Sequence, residues 1–327
     1  MVTNEEVANR YTHHGLQVIR FSNGLQKGTA TAMDRYGREL RAILAGYHSG
    51  MNKRQLDRLL ARVQRLTEAT YRQLYKDQKE TIQEFLELEA DFATKAAALL
   101  RKASEAAVKQ AFSNLTVHGA SLADNWKRQA ANAYWNVSTS IRNAQSAGQP
   151  VDVLLSNVLG SRESAGTINV LKKNSSSLVE SSVQSARQTA HHTSFIASRK
   201  DINGLQWFSI LDSKVCPNCA LRSGRLYDLS YAPIGHSVPM NGTPPLHPFC
   251  RCLLMPMRFP DGPPKDGGKG HEKFVSWLEK QTREQQEEIF GVGRTQLWRD
   301  GKLSLTELIG QDGLVMKLED LRRLVGT

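Results

Sequence analysis

All four cysteines of this 327-residue chain fall between Cys216 and Cys252, and His247 lies among them. Cys216-Pro217-Asn218-Cys219 offers two thiolates on a tight turn, a geometry that lets both sulfurs reach one ion at about 2.3 Å. The run His247-Pro248-Phe249-Cys250-Arg251-Cys252 offers up to three more donors. Five candidates thus compete for four tetrahedral positions. The preferred ligand set is Cys216, Cys219, His247 and Cys250, two pairs each separated by two residues, with Cys252 as the substitute for His247 or Cys250. A strand over 250–252 would send the two sulfurs to opposite faces unless it twists. The expected cofactor is a structural zinc ion. Buried inert thiols and a reversible disulfide are the competing readings. A catalytic zinc would need an open position and a general base, and the only acids between residues 204 and 257 are Asp212 and Asp228.

Other candidate chemistry fits less well. Gly262–Lys269 has the glycines of a phosphate loop, but Gly268 stands where the lysine belongs and no Ser or Thr follows Lys269. The pairs His13-His14 and His191-His192 could be ligands, yet neighbours face different ways on a helix and no acid sits at helical spacing, so surface or helix-packing roles are expected. A cysteine nucleophile is disfavoured because each thiol has a duty as a ligand.

The elements that must position the cluster follow from periodicity. Leu59, Leu60, Val63, Leu66 and Leu74 begin an amphipathic pattern that continues through Ile82, Phe85, Leu86 and Phe92 to Phe112, one very long helix or two stacked ones. Trp126, Ala130, Tyr134, Val137 and Ile141 mark another helix, stopped by Gly148 and Pro150, and Asp152 is expected to cap a short helix through Leu159. Val179, Val183, Ala186, Ala190, Thr193 and Ala197 have heptad spacing with small residues. From Gly204 the chain changes to short aromatic and branched runs, QWFSIL, GRLYDL and CLLMPM, bounded by turn residues. The expected fold class is α+β: a mostly helical N-terminal region (1–200), a small zinc-stapled β-rich module (201–257), a Pro/Gly linker (258–270) and a short helical C-terminal appendix (271–327). In that last part Phe274, Trp277, Leu278, Gln281 and Ile289 are expected along one helix, Gly301 to end a second, and Ser304 with Glu307 to box the start of a third.

Composition narrows the function classes. Hydrophobic content of 40% supports real cores, and the low aromatic fraction of 7% favours helices. There is no scattered disulfide framework, no signal-peptide pattern at the N-terminus and no long apolar run, so a soluble protein made in a reducing compartment is expected, with no membrane partner. The net charge is +11, and residues 101–200 hold 12 Lys or Arg against 5 Asp or Glu, whereas 258–327 hold 12 against 12. Arg101, Lys102, Lys109, Lys127, Arg128, Arg142, Lys172 and Lys173, with Arg187, Arg199 and Lys200, are therefore candidate contacts to double-stranded DNA; a solvated helix face is the plainer alternative.

The ordered text Gln206-Trp207-Phe208-Ser209-Ile210-Leu211-Asp212-Ser213, Cys216-Pro-Asn-Cys219, Ser223-Gly224-Arg225-Leu226-Tyr227 and Pro244-Pro245-Leu246-His247-Pro248-Phe249-Cys250-Arg251-Cys252 resembles the signature of the phage Mu F-like head morphogenesis family. The resemblance extends over roughly 185–310, taking in Ala186–Ala190 before the motif and the stretch from Phe274 to Leu305 after it. It implies a low-copy minor capsid protein of a tailed bacteriophage, not an enzyme, bound inside the head near the portal vertex and present in the host cytoplasm during assembly. The implied partners are portal protein and scaffolding or major capsid protein, with packaged DNA as a further contact. Some relatives carry a fused toxin domain after the motif; the residues that follow it here read as short helices, which weakens an effector reading. A zinc-dependent nuclease or hydrolase is the alternative.

Overall fold

A computed structural model describes residues 2–162, 165–212, 214–247, 250–310 and 312–326. Ser213, Pro248 and Phe249 of the motif lie outside the described residues. In chain order the helices and strands are α1 (Asn4–Leu44), α2 (Lys53–Ala96), α3 (Glu105–Ser113), β1 (Thr116–Val117), β2 (Ala120–Ser121), α4 (Leu122–Ser146), α5 (Val151–Leu159) and α6 (Thr167–Ala197). Then come β3 (Gly204–Phe208), α7 (Pro217–Arg222), β4 (Leu226–Tyr227), β5 (Pro233–Ile234), β6 (Leu253–Met257), α8 (Gly270–Glu279), α9 (Arg283–Phe290), α10 (Val292–Arg299), a 3-10 turn at Thr306–Leu308 and α11 (Leu318–Val325). The chain is thus mostly helical with a small sheet late in the sequence, the α+β class expected.

The linear division into 1–200, 201–257, 258–270 and 271–327 is not how the chain groups itself. Its two compact units are assembled from separated stretches: Met1–Gly15, Glu87–Ala111 and Arg187–Thr327 in one, Leu16–Leu86 and Phe112–Ala186 in the other. The reason is the length of α1, α2 and α6, each of which gives residues to both units.

The second unit is helical. Met33, Tyr36, Leu40 and Leu44 of α1 share a buried apolar core with Leu60, Val63 and Tyr71 of α2, Trp126, Val137 and Ile141 of α4, and Leu171 and Val179 of α6. These positions recur every three or four residues, the stripe that an amphipathic helix must bury. Between α3 and α4 a two-stranded hairpin turns at His118 and Gly119, both with positive φ. Asn125 Nδ2 donates to the carbonyls of Val117, Ala120 and Ser121, and Ser121 Oγ caps α4 by accepting from the Asp124 amide. At α5 the expected cap moves by two residues: Pro150 occupies the N-cap, and Asp152 sits in the first turn, where its charge faces the positive end of the helix dipole.

The first unit holds the Cys/His module. Its four-stranded antiparallel sheet has the order β5-β4-β3-β6. The long ladder is β3 on β6, in register from Gly204↔Met257 to Phe208↔Leu253. Gly224 turns the chain into β4 at φ +77°, with its backbone so close to Gly270 that no Cβ could be accommodated. Residues 258–269 form no regular element. The C-terminal helices belong to the same core as the module: Phe274, Leu278, Phe290, Leu308 and Leu321 are buried in one cluster with Trp207, Cys219 and Leu254. The single helix expected over 274–289 is two helices, because Thr282 and Gln285 form a reciprocal capping box that starts α9 afresh. Ser304 and Glu307 do exchange hydrogen bonds, but they close only the 3-10 turn.

Candidate metal centre

The five sequence-predicted donors come together in the first unit. Cys216 is the N-cap of α7 and its sulfur accepts from the Cys219 amide at 3.4 Å, so Pro217 and the first helical turn set the spacing of the first two thiols. Cys216, Cys219 and His247 have donor atoms mutually within 4.8 Å, and so do Cys219, Cys250 and Cys252. Cys219 belongs to both groups and is therefore the hub. Its sulfur is 3.6 Å from His247 Nε2 and 3.7 Å from Cys250 Sγ. Tetrahedral bonds of about 2.3 Å to sulfur and about 2.0 Å to nitrogen place two sulfurs about 3.8 Å apart and a sulfur and a nitrogen about 3.5 Å apart. The observed separations match those edges, so the cluster can hold a metal ion.

The expectation that Cys250 and Cys252 diverge is corrected. β6 begins at Leu253, so the alternation of a strand does not govern 250–252, and both sulfurs reach Cys219. Cys252 is fully buried against Ser209, whose Oγ accepts from its thiol at 3.3 Å and itself donates to the Cys219 carbonyl at 3.0 Å.

The donors perturb one another strongly. Hydrogen bonding from Cys219 lowers the Cys216 thiol to about 5, helped by His247 and opposed by burial. Cys219 and Cys252 hydrogen-bond to Cys250 and drive its thiol far below the ordinary range. Cys219, donor to its neighbours, is pushed up instead. His247 is raised to about 11 by its hydrogen bonds to Cys216 and Cys250. Thiolates and an imidazolium packed this tightly share protons that a metal ion would displace. The space lined by Ile210, Val215 and the five donors is about 10 Å³, room for an ion.

Residues beyond the donors lock the loops. Arg251 grips Asp212 with two parallel bonds, Nη1 to Oδ2 at 2.8 Å and Nη2 to Oδ1 at 2.6 Å, and Asp212 Oδ1 also accepts from the Lys214 amide. This fork lowers the Asp212 carboxyl and occupies both its oxygens. Arg222, the buried last residue of α7, donates to the Asn218 and Pro239 carbonyls and to that of Gly313, and its guanidinium lies 5.7 Å from the Trp207 ring centre. Arg225 bonds the Leu221 carbonyl, Thr306 Oγ1 and His271, tying the C-terminal segment to the module. Asp228, the other acid weighed as a base, accepts from the amides of Ser230 and Ala232 and shapes a turn.

The sequence reading missed a second polar cluster in this unit. Glu89 of α2, 1% exposed, bonds His14 of α1 and His191 of α6, and Arg187 Nε lies 3.5 Å from its carboxylate. Burial raises the Glu89 carboxyl, but the histidine hydrogen bonds and the Arg187 charge outweigh it and hold it at about 2. The histidines are packing residues as expected, and their acid partner comes from another helix. Arg187, 2% exposed, is removed from the candidate DNA contacts.

The remaining basic candidates divide between the units, with Arg101, Lys102, Lys109, Arg199 and Lys200 in the first and Lys127, Arg128, Arg142, Lys172 and Lys173 in the second. Lys102 pairs with Asp91, Lys109 with Glu105 and Lys172 with Asp34. No helix among the described residues is long and apolar enough to cross a membrane. Comparison with family models, curated proteins and solved structures returns no match. The likeness to the head morphogenesis family therefore rests on the motif text alone.

Proposed function

We propose that this chain is a minor head protein of a tailed bacteriophage, acting in head morphogenesis at the portal vertex with a structural zinc ion in its Cys/His module. The observation that carries this reading is the convergence of the motif's four cysteines and His247 on one point. The five donors surround an ion-sized space, and Ser209, Asp212 and Arg251 of the same motif bind the loops that present them. A motif whose thiols, imidazole and loop-binding side chains meet at one staple favours a metal-held knob for docking over a site for turnover. Asp212, the nearest candidate base, is taken up by Arg251, which argues against the zinc hydrolase and effector alternatives.

In this reading the partners are portal protein and scaffolding or major capsid protein, and the location is the capsid interior near the portal, with the host cytoplasm during assembly. The test is co-purification with portal protein from infected cells, together with mass spectrometry of purified virions. The chain is expected in both, at low copy number, and its absence from virions refutes the proposal.

Contact with packaged DNA is a second reading, favoured by Arg101, Lys127, Arg128, Arg142 and Lys173, which are exposed and form no ion pair among the described residues. Phosphate contacts predict binding that weakens steeply with salt and ignores sequence. A gel shift that is absent at low salt, or unchanged by added salt, removes this reading.

A further inference from the structure

We propose that the groove between α2 and α4 in the second unit is a docking site for an acidic amphipathic helix of a partner protein. The groove has a volume of about 590 Å³. Tyr71 and Trp126 are buried at its floor, Tyr75 and Tyr134 are half-buried along it, and Trp135 lies at its lip, 70% exposed. An exposed tryptophan beside an aromatic groove is the composition of a binding hot spot, because so large an apolar surface is otherwise removed from water by folding.

Shape selects a helix. The lining runs from Gln64 to Tyr75 on α2 and from Ala123 to Trp135 on α4, about 17 Å at the helical rise of 1.5 Å per residue. That is three turns of a third helix. Ala123 and Ala130 keep the α4 side low enough for another helix to approach closely.

Charge selects the partner. Arg72 and Lys127 line the groove, are exposed and form no ion pair among the described residues. The single carboxylate of the lining, Glu68, accepts a hydrogen bond from Gln64 at 2.9 Å. Free cations beside an apolar trough complement carboxylates flanking an apolar stripe. A second copy of this chain is the poorer occupant, since each copy carries a net charge of +11. The inference goes beyond the capsid reading and does not rest on it.

The probe is a synthetic, end-capped 15-residue helix with leucines at i, i+3, i+4 and i+7 and glutamates on its outer face, fluorescently labelled and titrated with the full chain. A second peptide replaces every glutamate with lysine. Saturable binding of the glutamate peptide is expected, with the lysine peptide weaker by about tenfold or more, and with a similar loss on Trp135→Ala, the scale of a tryptophan hot spot. Because Trp135 is exposed, that variant keeps its melting temperature. Arg72→Glu with Lys127→Glu is expected to reverse the preference between peptides. Equal binding of the two peptides, no binding, binding indifferent to Trp135→Ala, or sedimentation showing a dimer that Trp135→Ala dissociates would each overturn the proposal.

Discussion

Replacing Glu89 by Gln removes the carboxylate that faces Arg187, His14 and His191 while nearly conserving volume. Arg187 and Glu89 are each 2% exposed at the side chain. Removing one partner of a buried ion pair typically costs about 3–5 kcal/mol, because the surviving charge stays in a medium that cannot solvate it. Arg187 Nε and Nη2 have no hydrogen-bond partner among the described residues, so little besides the Glu89 charge holds the guanidinium. At about 2–4 °C per kcal/mol for domains of 150–250 residues, the transition should fall by roughly 6–20 °C. Thermal and urea unfolding of Glu89→Gln, Arg187→Met and the double variant form a cycle. The double variant should be more stable than Glu89→Gln alone, since no unpaired charge remains. The pH dependence adds a check on sign. Glu89 is lowered from about 4.5 to about 2, so its contribution is complete above pH 4.5 and is lost as pH falls toward 2. The gap between wild type and Glu89→Gln should therefore close over that window. A cost below about 1 kcal/mol, or a double variant as unstable as the sum of the singles, refutes the reasoning.

Two further outcomes concern the module and its surroundings. His236 and His271 are both lowered to about 4, chiefly by burial; their stabilisation is complete above the ordinary histidine value of 6.5 and lost as pH falls toward 4, so melts between pH 7 and pH 4 should flatten in His236→Gln with His271→Gln. Arg251→Lys keeps the charge but loses the fork on Asp212. The pair is partly exposed, so the cost should be only about 1 kcal/mol in stability, yet metal release to a chelator should quicken because the 212–214 and 250–252 loops lose their clasp.

The Cys/His cluster was legible because its spacing is local. Cys216 and Cys219 take their geometry from one helical turn, and His247, Cys250 and Cys252 lie within six residues. What misled was the assumed strand at 250–252, since a loop obeys no two-residue alternation. The Glu89 cluster was hidden for the opposite reason: Glu89 is 75 residues from His14 and 102 from His191, and neighbouring residues along α1 and α6 contain no hint of it. The long α1 was also missed. Gly15, Gly24, Gly28 and Gly37 lower its intrinsic helicity, by roughly 1 kcal/mol each relative to alanine, and only tertiary burial of Met33, Tyr36, Leu40 and Leu44 offsets that. The capping box at Thr282 was readable in the text, but the apolar stripe through Ile289 concealed the break.

Metal content of the purified chain, measured by elemental mass spectrometry beside Cys219→Ser, Cys250→Ser and Cys252→Ser, tests the central claim most directly. Cys219 stands in both donor groups, so one zinc per wild-type chain and none in Cys219→Ser are predicted, with the other two variants identifying the fourth ligand. A wild-type chain free of zinc, with its cysteines paired as disulfides or all open to alkylation without chelator, would contradict the account.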